Sequence, residues 1–176
     1  MRETDLKKYP VIGEGRHGVV YLLDEKRCAK KYRKKKYGRM EFRVLDHSRH
    51  YIHFPRVYDF NDRIMVREYC NGPNAKEYIR KHGLTRSIAY KLAEIIGIFE
   101  ELGFSRLDCR LGHLIVTNNL NLKVIDPTRN MTKRVDYPRQ MLRELEHMGC
   151  KERFLKYVYE VRPDYYQKWV QKTISL

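Results

Sequence analysis

Short apolar runs separated by polar turns fill the first part of the chain, a pattern typical of antiparallel strands. Residues 19–23 are β-branched, aromatic and apolar, residues 24–26 are polar, and residues 27–32 return to a strand-like composition. A further strand-like run covers residues 63–68, and a helix-like stretch begins at Glu41. We therefore expect a β-rich region that contains one early helix.

The second part of the chain changes to helical spacing. Residues 75–82 and 87–102 predict two helices, and Gly103 is placed to end the second one. A further helix-like stretch covers residues 139–148. Along the second helix one apolar stripe indicates core packing, and it comprises Ile88, Leu92, Ile95, Ile96 and Phe99.

The boundary between these two parts is predicted at the Asn-Gly-Pro-Asn cluster of residues 71–74, because Gly and Pro mark the change from strand to helix. With 176 residues, of which 42% are hydrophobic and 34% charged, the chain can bury one sizeable core. The pattern predicts an α+β protein with a β-rich region over residues 1–70 and a helical region over residues 71–176.

A glycine-rich run in the first predicted hairpin follows the pattern G-x-G-x-x-G-x-V, and it comprises Ile12, Gly13, Gly15, Gly18 and Val20. In a dinucleotide-binding fold such glycines open a helix, and an acidic residue ends the second strand about twenty positions later. Here the glycines lead into a strand instead, which is typical of the phosphate loop of kinases. Because Gly occurs in hairpins of every kind, the run alone does not identify a phosphate-binding loop, and the other parts of such a site must also be present.

Lys30 is the candidate for contacting nucleotide phosphates, and Lys31 is its competitor. We prefer Lys30 because the residue before it, Ala29, is apolar. In the alternative interpretation both lysines belong to a solvated basic run. Glu41, at the start of the helix-like stretch, is placed to hold the phosphate lysine in an ion pair.

Two aspartates flank a second predicted hairpin, which consists of two apolar strands around a polar turn at residues 117–121. Asp108 comes before this hairpin, and Asp126 follows it. Because a hairpin returns the chain to the end where it started, we expect the two carboxylates to lie close together. Phosphoryl transfer needs one carboxylate to orient the attacking hydroxyl and another to anchor the metal. The alternative is that both are ordinary turn formers.

The order of these parts from Ile12 to Asp126 resembles the protein-kinase superfamily, and within it the small bacterial and RIO-like members. Residues 107–116, Leu-Asp-Cys-Arg-Leu-Gly-His-Leu-Ile-Val, resemble the catalytic loop H-R-D-x-x-x-x-N, and Asp126-Pro127 stands in place of Asp-Phe-Gly. The resemblance implies a two-lobed kinase-like fold with a β-rich amino lobe and a reduced helical carboxyl lobe. It also implies that ATP and Mg²⁺ bind between the lobes.

The same resemblance implies a role for each site residue. Asp108 is the catalytic base, and Arg110 replaces the lysine that approaches the γ-phosphate. Asp126 holds Mg²⁺. His113 stands where the family has a metal-binding Asn; because imidazole prefers softer metals than Mg²⁺, His113 is a candidate ligand for Mn²⁺ and equally a structural residue.

Residues 63–72 resemble the kinase hinge, where a nucleotide base pairs with the backbone; the expected contacts are the Glu68 carbonyl and the Cys70 N–H. The chain departs from the family at Arg67, which occupies the position of an apolar or small gatekeeper. The arginine that receives an activation-loop phosphate and the A-P-E segment are also missing. The resemblance thus implies a small serine/threonine protein kinase that phosphorylates itself or a partner. The alternative is a nucleotide-binding pseudokinase or a basic nucleic-acid-binding module with a kinase shape.

The net charge of +15 is concentrated in two clusters, one within residues 26–43 and one within residues 129–143. Such clusters attract polyanions, including nucleic acid or a ribosomal surface, although a solvated basic surface is the simpler interpretation. The sequence contains neither a run of about eighteen apolar residues nor a signal-peptide pattern, so we expect a cytoplasmic protein. Its four cysteines have no metal-binding spacing, and we expect reduced thiols.

Overall fold

The computed structural model describes residues 3–174, with side chains described as far as residue 172. The chain divides into two compact units. The first unit contains the chain up to Asn71 together with Lys123–Arg129, and the second contains Gly72–Leu122 and the chain from Asn130 onward. The segment that carries Asp126 therefore belongs to the first unit, although it lies far from the rest of that unit in sequence.

The first unit is built on a five-stranded antiparallel sheet in the order β1-β2-β3-β5-β4. Its elements are α1 (Glu3–Leu6), β1 (Val11–Glu14), β2 (Gly18–Leu22), β3 (Arg27–Tyr32), α2 (Lys35–His47), β4 (Val57–Phe60) and β5 (Ile64–Glu68). In the central strand β3, Lys30 pairs with Val20 on one side and with Met65 on the other. The phosphate-lysine candidate thus lies in the middle of the sheet.

The two faces of this sheet bury different chemistry, since alternate residues of a strand point to opposite faces. One face packs Ala29, Ile64 and Val66 against Leu6 of α1. Helix α2 covers the other face, where a Cβ on Gly38 would lie 3.1 Å from the Tyr32 ring. Apolar burial on the first face leaves the second free to hold the buried charges described below.

The predicted glycine hairpin and the two strands after it are confirmed by β1, β2 and β3. Helix α2 begins at Lys35, six residues before the predicted start at Glu41. The prediction missed these residues because the first turn is lysine-rich and gives no apolar periodicity. Strand β4 was not predicted; its burial pattern is partial, with two of its four residues exposed.

The second unit is mainly helical. It contains α3 (Ala75–His82), α4 (Arg86–Glu101), a 3₁₀ turn (Leu111–His113), β6 (Leu114–Val116), α5 (Arg139–His147), α6 (Lys151–Val161) and α7 (Pro163–Ile174). Strand β7 (Leu122–Val124) pairs with β6 in a two-stranded hairpin, and the chain passes into the first unit within β7.

The predicted helices of the second unit are confirmed to within one residue at each end. Asn74 and Glu77 form a reciprocal capping box at the start of α3, and the Thr85 side chain caps α4. All five residues of the predicted apolar stripe on α4 are buried. Gly103 follows α4 with φ +64°, a left-handed conformation that favours glycine.

The observed architecture is α+β, with the antiparallel sheet in one unit and most of the helices in the other. Across residues 3–174, none of the helices has the length and apolar character that a bilayer crossing requires.

Candidate functional site

Lys30 is buried on the α2 side of β3, with only 2% of its surface exposed. Its Nζ lies 2.7 Å from Glu41 Oε2, and Glu41 is fully buried on α2. The ion pair expected from the sequence is therefore present. A buried charge pair requires close geometry because both groups lose their hydration, and this geometry holds the lysine in one place.

Lys31, the competing candidate, points to the opposite face of β3. Its Nζ lies 2.8 Å from Glu3 Oε2 on α1, and both side chains are well exposed to solvent. Of the two lysines, only Lys30 is buried and paired with a buried carboxylate, so the geometry favours Lys30 as the phosphate lysine.

Asp126 completes this cluster within the first unit. Its Oδ1 is ion-paired with Lys30 Nζ, and 33% of its side chain stays exposed. The residue has φ +58°, which is uncommon for residues other than glycine and is tolerated best by Asp and Asn. A strained backbone that presents a partly exposed carboxylate next to a buried lysine is typical of a functional site.

Arg67 on β5 is the fourth charge of the cluster, which we call the buried charge cluster: Lys30, Glu41, Arg67 and Asp126. Only 3% of Arg67 is exposed, and its Nη2 lies 3.8 Å from Asp126 Oδ1. Burial opposes the charge of Arg67, but the carboxylates, Glu41 first, raise its pKa above the ordinary value. Two cations and two anions thus balance one another in the interior of the first unit.

The glycine hairpin lies beside this cluster, because Val20 of β2 pairs with Lys30. Gly18 is required by packing, since a Cβ there would lie 2.1 Å from the Lys31 carbonyl oxygen. Gly15 differs, since a Cβ at this position would meet no atom within 4 Å, and it has no left-handed φ. A Cβ on Gly13 would make one ordinary contact, at 4.0 Å from Val20. Neither Gly13 nor Gly15 is therefore demanded by the fold.

The tip of the glycine hairpin is attached to α2. The His17 ring stacks on Tyr37 with 4.2 Å between centroids, and the His17 carbonyl accepts a hydrogen bond from the Arg33 N–H at 2.8 Å. Burial lowers the pKa of His17, and the charge of Lys30 lowers it further. Ile12, on β1, is 41% exposed and leaves an apolar side chain uncovered at the hairpin.

The predicted hinge residues follow β5. The Glu68 carbonyl accepts a weak hydrogen bond from the Cys28 thiol at 3.7 Å, and the Glu68 carboxylate lies 2.8 Å from Lys123 Nζ. Burial raises the pKa of the Cys70 thiol to about 11, so this cysteine is uncharged at neutral pH. Pairing of a nucleotide base with the backbone of Glu68 and Cys70 stays a prediction.

Asp108 lies in the second unit, where it contacts the start of α5. Its Oδ1 accepts the backbone N–H groups of Gln140 at 3.0 Å and Met141 at 3.3 Å. Its Oδ2 lies 3.4 Å from Arg106 Nη2. Burial raises the pKa of Asp108, and Arg106 and the two N–H donors oppose the rise. Asp108 thus acts as a cap that satisfies free N–H groups at a helix start.

Arg110 and His113 lie close to Asp108 in sequence. With its amide oxygen facing Arg110, Gln140 accepts hydrogen bonds from Nε at 2.8 Å and Nη2 at 3.2 Å. The backbone N–H of His113 donates to the Arg110 carbonyl at 2.9 Å, which closes the 3₁₀ turn. Both residues are therefore tied to the structure around the start of α5.

The metal expectation can be tested against the donors present. Across residues 3–174, no group of three or more His, Cys, Asp and Glu side chains is arranged to hold a metal ion. Mg²⁺ in phosphoryl-transfer sites usually binds one or two carboxylates, substrate phosphates and water. The exposed carboxylate of Asp126 fits that pattern. Participation of His113 stays a prediction.

The structure therefore brings together Lys30, Glu41 and Asp126 beside the glycine hairpin. Asp108 belongs to the other unit, and its predicted proximity to Asp126 stays a prediction. Sequence reasoning missed the place of Arg67 in the buried charge cluster and the capping of α5 by Asp108. A charged residue in the apolar run of β5 was a signal for the first, whereas no local pattern indicated the second.

The sequence matches no protein-family model and no curated protein.

Proposed function

We propose that the chain binds ATP with Mg²⁺ and transfers the γ-phosphoryl group to a serine or threonine hydroxyl, as a small protein kinase. The observation that carries the proposal is the position of Lys30, which is ion-paired with both Glu41 and Asp126 although Asp126 is 96 residues away in sequence. A lysine fixed by one carboxylate beside a second, partly exposed carboxylate supports binding of a metal–triphosphate complex.

In this proposal each residue of the first unit has a defined task. Lys30 contacts the α- and β-phosphates, and Glu41 keeps Lys30 in place through the 2.7 Å ion pair. Asp126 would hold Mg²⁺, which when bound neutralises charge between the phosphates. The backbone of the hinge, at Glu68 and Cys70, would pair with the adenine base.

The glycine hairpin supports the same proposal. Because a Cβ on Gly15 would meet no protein atom within 4 Å, packing does not explain the absence of a side chain there. Close approach of phosphates to backbone N–H groups does explain it, since a bare backbone can follow a phosphate chain. Ile12 and Val20 would supply the apolar contacts to the base.

The transfer step belongs to the second unit and requires the two units to act as the lobes of a kinase. Asp108 would accept the proton of the hydroxyl as its oxygen bonds to the γ-phosphorus, while the bond from phosphorus to the bridging oxygen breaks and ADP leaves. Arg110 would contact the γ-phosphate as a bidentate donor.

A second candidate function is nucleotide binding without phosphoryl transfer. It is favoured by the capping role of Asp108, because both of its oxygens already contact groups of the protein, at Gln140, Met141 and Arg106. An oxygen that caps a helix start is less available to accept a proton from a substrate hydroxyl.

The decisive experiment measures binding and turnover in the same samples. Purified protein is incubated with γ-labelled ATP and Mg²⁺ or Mn²⁺, and label transfer is measured alongside equilibrium binding of a fluorescent ATP analogue. We expect binding and autophosphorylation in the natural protein. We expect Asp126→Asn to abolish both, and Asp108→Asn to abolish transfer while binding persists.

Two results would change the conclusion. Binding without turnover, unaffected by Asp108→Asn, would establish the nucleotide-binding alternative. No binding of the analogue at any metal concentration would remove both candidates. Lys31→Met is the matched control, since Lys31 lies next to Lys30 on β3 but in an exposed ion pair.

We also propose a polyanionic partner for the first unit. Arg33, Lys34, Lys35, Lys36 and Arg43 are exposed on and before α2, whose first turn contains no acidic residue. Such a surface attracts phosphates, and its affinity should fall steeply with salt because counterions are released on binding. Titration of the protein with a labelled RNA at several salt concentrations tests this, and a flat salt response would contradict it.

A further inference from the structure

Arg67 is the least expected member of the buried charge cluster. It follows three buried apolar residues on β5, Ile64, Met65 and Val66, and is itself buried. Because an arginine is rarely buried without full pairing, its place in a strand core calls for a physical explanation.

The hydrogen bonds of Arg67 do not supply that explanation. Within the described part of the chain, its buried Nε and Nη1 have no hydrogen-bond partner. Its Nη2 lies 3.8 Å from Asp126 Oδ1, close enough for charge attraction but too far for a hydrogen bond. A buried donor without an acceptor destabilises the folded state, so Arg67 is held by charge in an unfavourable hydrogen-bonding position.

An unused acceptor exists in the same cluster. Glu41 bonds Lys30 through Oε2, while its buried Oε1 has no hydrogen-bond partner among the described residues. Glu41 also makes the largest favourable electrostatic contribution to the charge of Arg67. Unmatched donors and an unmatched acceptor of opposite charge thus lie in one buried network.

The two cations of the cluster share one oxygen. Both Lys30 Nζ and Arg67 Nη2 are ion-paired with Oδ1 of Asp126, and Lys30 has a second partner in Glu41. Arg67 lies farther from this oxygen than Lys30 does, at 3.8 Å, so it is the more weakly held of the two cations. A cation that arrives at the exposed side of Asp126 competes first with Arg67.

We propose that Arg67 is an internal competitor of the metal ion: it neutralises Asp126 when no metal is bound and shifts toward Glu41 Oε1 when the metal takes Asp126. The identity of the metal rests on the proposed function. In the metal-free protein Arg67 adds a second positive charge beside the carboxylate with which Lys30 is ion-paired. In the metal-bound protein its donors gain the acceptor that they lack. Arg67 is therefore a positioning residue, and its competition sets the metal concentration at which the site is half-saturated.

The test compares metal binding by the natural protein, Arg67→Met and Arg67→Lys. Mn²⁺ binding is measured by electron paramagnetic resonance, first with MnCl₂ alone and then with a non-hydrolysable ATP analogue present. We expect Arg67→Met to lower the half-saturating Mn²⁺ concentration by roughly tenfold, a usual size for coupling between two charges in one site. We expect Arg67→Lys, which keeps the charge, to stay close to the natural protein.

Controls show whether a change in Mn²⁺ affinity reflects competition by Arg67, a loss of folding, or failure of the proposed nucleotide binding. Thermal unfolding without metal reports whether Arg67→Met folds. If it does not, the double variant Glu41→Gln/Arg67→Met restores the charge balance and is compared with Glu41→Gln alone. Asp126→Asn should abolish Mn²⁺ binding in every background.

Each outcome has one meaning. An unchanged or weaker Mn²⁺ affinity in Arg67→Met would overturn the competition. A tighter affinity without any binding of the ATP analogue would support the competition and remove the kinase proposal. Absence of Mn²⁺ binding in the natural protein, with and without the analogue, would remove both.

Discussion

The two units treat their candidate carboxylates differently. In the first unit Asp126 is partly exposed, has a left-handed backbone and is ion-paired with Lys30 and with Arg67, of which Arg67 keeps buried donors without a partner among the described residues. In the second unit Asp108 is buried and accepts two backbone N–H groups from α5. In each unit the arginine beside the carboxylate keeps a buried donor without a hydrogen-bond partner among the described residues, Arg67 in the first and Arg106 in the second. The difference is that Asp126 stays partly exposed, whereas both oxygens of Asp108 contact donors of the protein.

Because of this difference, nucleotide binding and phosphoryl transfer have to be tested separately. Incomplete polar networks are costly, and they persist where function requires them. The metal–nucleotide site that we propose lies in the first unit, and the residues that support it do not include Asp108. Asp108 has a structural task that accounts for its burial, so a catalytic task must be shown by experiment.

The largest effect is expected at Lys30. Lys30→Met removes the hydrogen-bonded ion-pair partner of the fully buried Glu41 carboxylate, which should destabilise the protein by about 3–5 kcal/mol. Lys31→Met, one residue away, removes an exposed ion pair that solvent screens and should change stability far less. Urea unfolding of both variants measures the difference. Equal losses would show that the buried charge cluster is not the stabilising feature of β3.

A pair of glycine variants distinguishes packing from ligand approach. Gly18→Ala places a Cβ against the Lys31 carbonyl oxygen and should destabilise the protein by about 2 kcal/mol or more. Gly15→Ala should leave the unfolding free energy nearly unchanged and weaken ATP binding, because the Cβ occupies space reserved for phosphate. Melting curves and ATP-analogue titrations of both variants check this. Normal binding by Gly15→Ala would break the proposed link between the hairpin and a nucleotide.

Variants of Asp108 test whether the candidate carboxylate of the second unit has a structural or a catalytic role. Asp108→Ala removes the acceptor of the Gln140 and Met141 N–H groups and should cost about 1–2 kcal/mol. Asp108→Asn keeps an oxygen in that position and should retain most of the stability. If Asp108→Asn also retains phosphoryl transfer, Asp108 is a helix cap and not the base.

The smallest expected effect is a dependence of stability on pH. Burial raises the pKa of Asp108 above its ordinary value of 3.8, so the folded protein binds this proton more tightly than the unfolded chain. Stability contributed by Asp108 is therefore full below that ordinary value and falls as pH rises through the raised pKa. Relative to Asp108→Asn, the natural protein should therefore lose stability as the pH rises from below 3.8 through the raised pKa. A gain over that range would mean that hydrogen bonding to α5 outweighs burial.

Much of the fold was predictable because it depends on local pattern. Alternating apolar runs around polar turns predicted β2 and β3, and 3.6-residue spacing predicted α3 and α4 to within one residue. The basic first turn of α2 was missed because exposed lysines give no periodic signal. Strand β4 is short and half-exposed, so it lacked the apolar run that predicts a strand.

The candidate site was predictable in part. The Lys30–Glu41 pair was predicted from the kinase-like order of a strand lysine followed by a glutamate on a helix, and the structure contains it. The glycine run was equally visible as a motif. The difference between Gly15 and Gly18 was not, since it depends on which backbone lies opposite each residue.

Sequence pattern alone was sufficient for the α+β class and most element positions, because these follow from side-chain periodicity and short-range spacing. Contacts between distant segments needed the tertiary structure. The strand positions of Arg67 and Lys30 bring them to the same oxygen of Asp126, and chain packing sets the carboxylate of Asp108 against the start of α5. Burial and hydrogen-bond satisfaction depend on all neighbours in space, and no local pattern contains them.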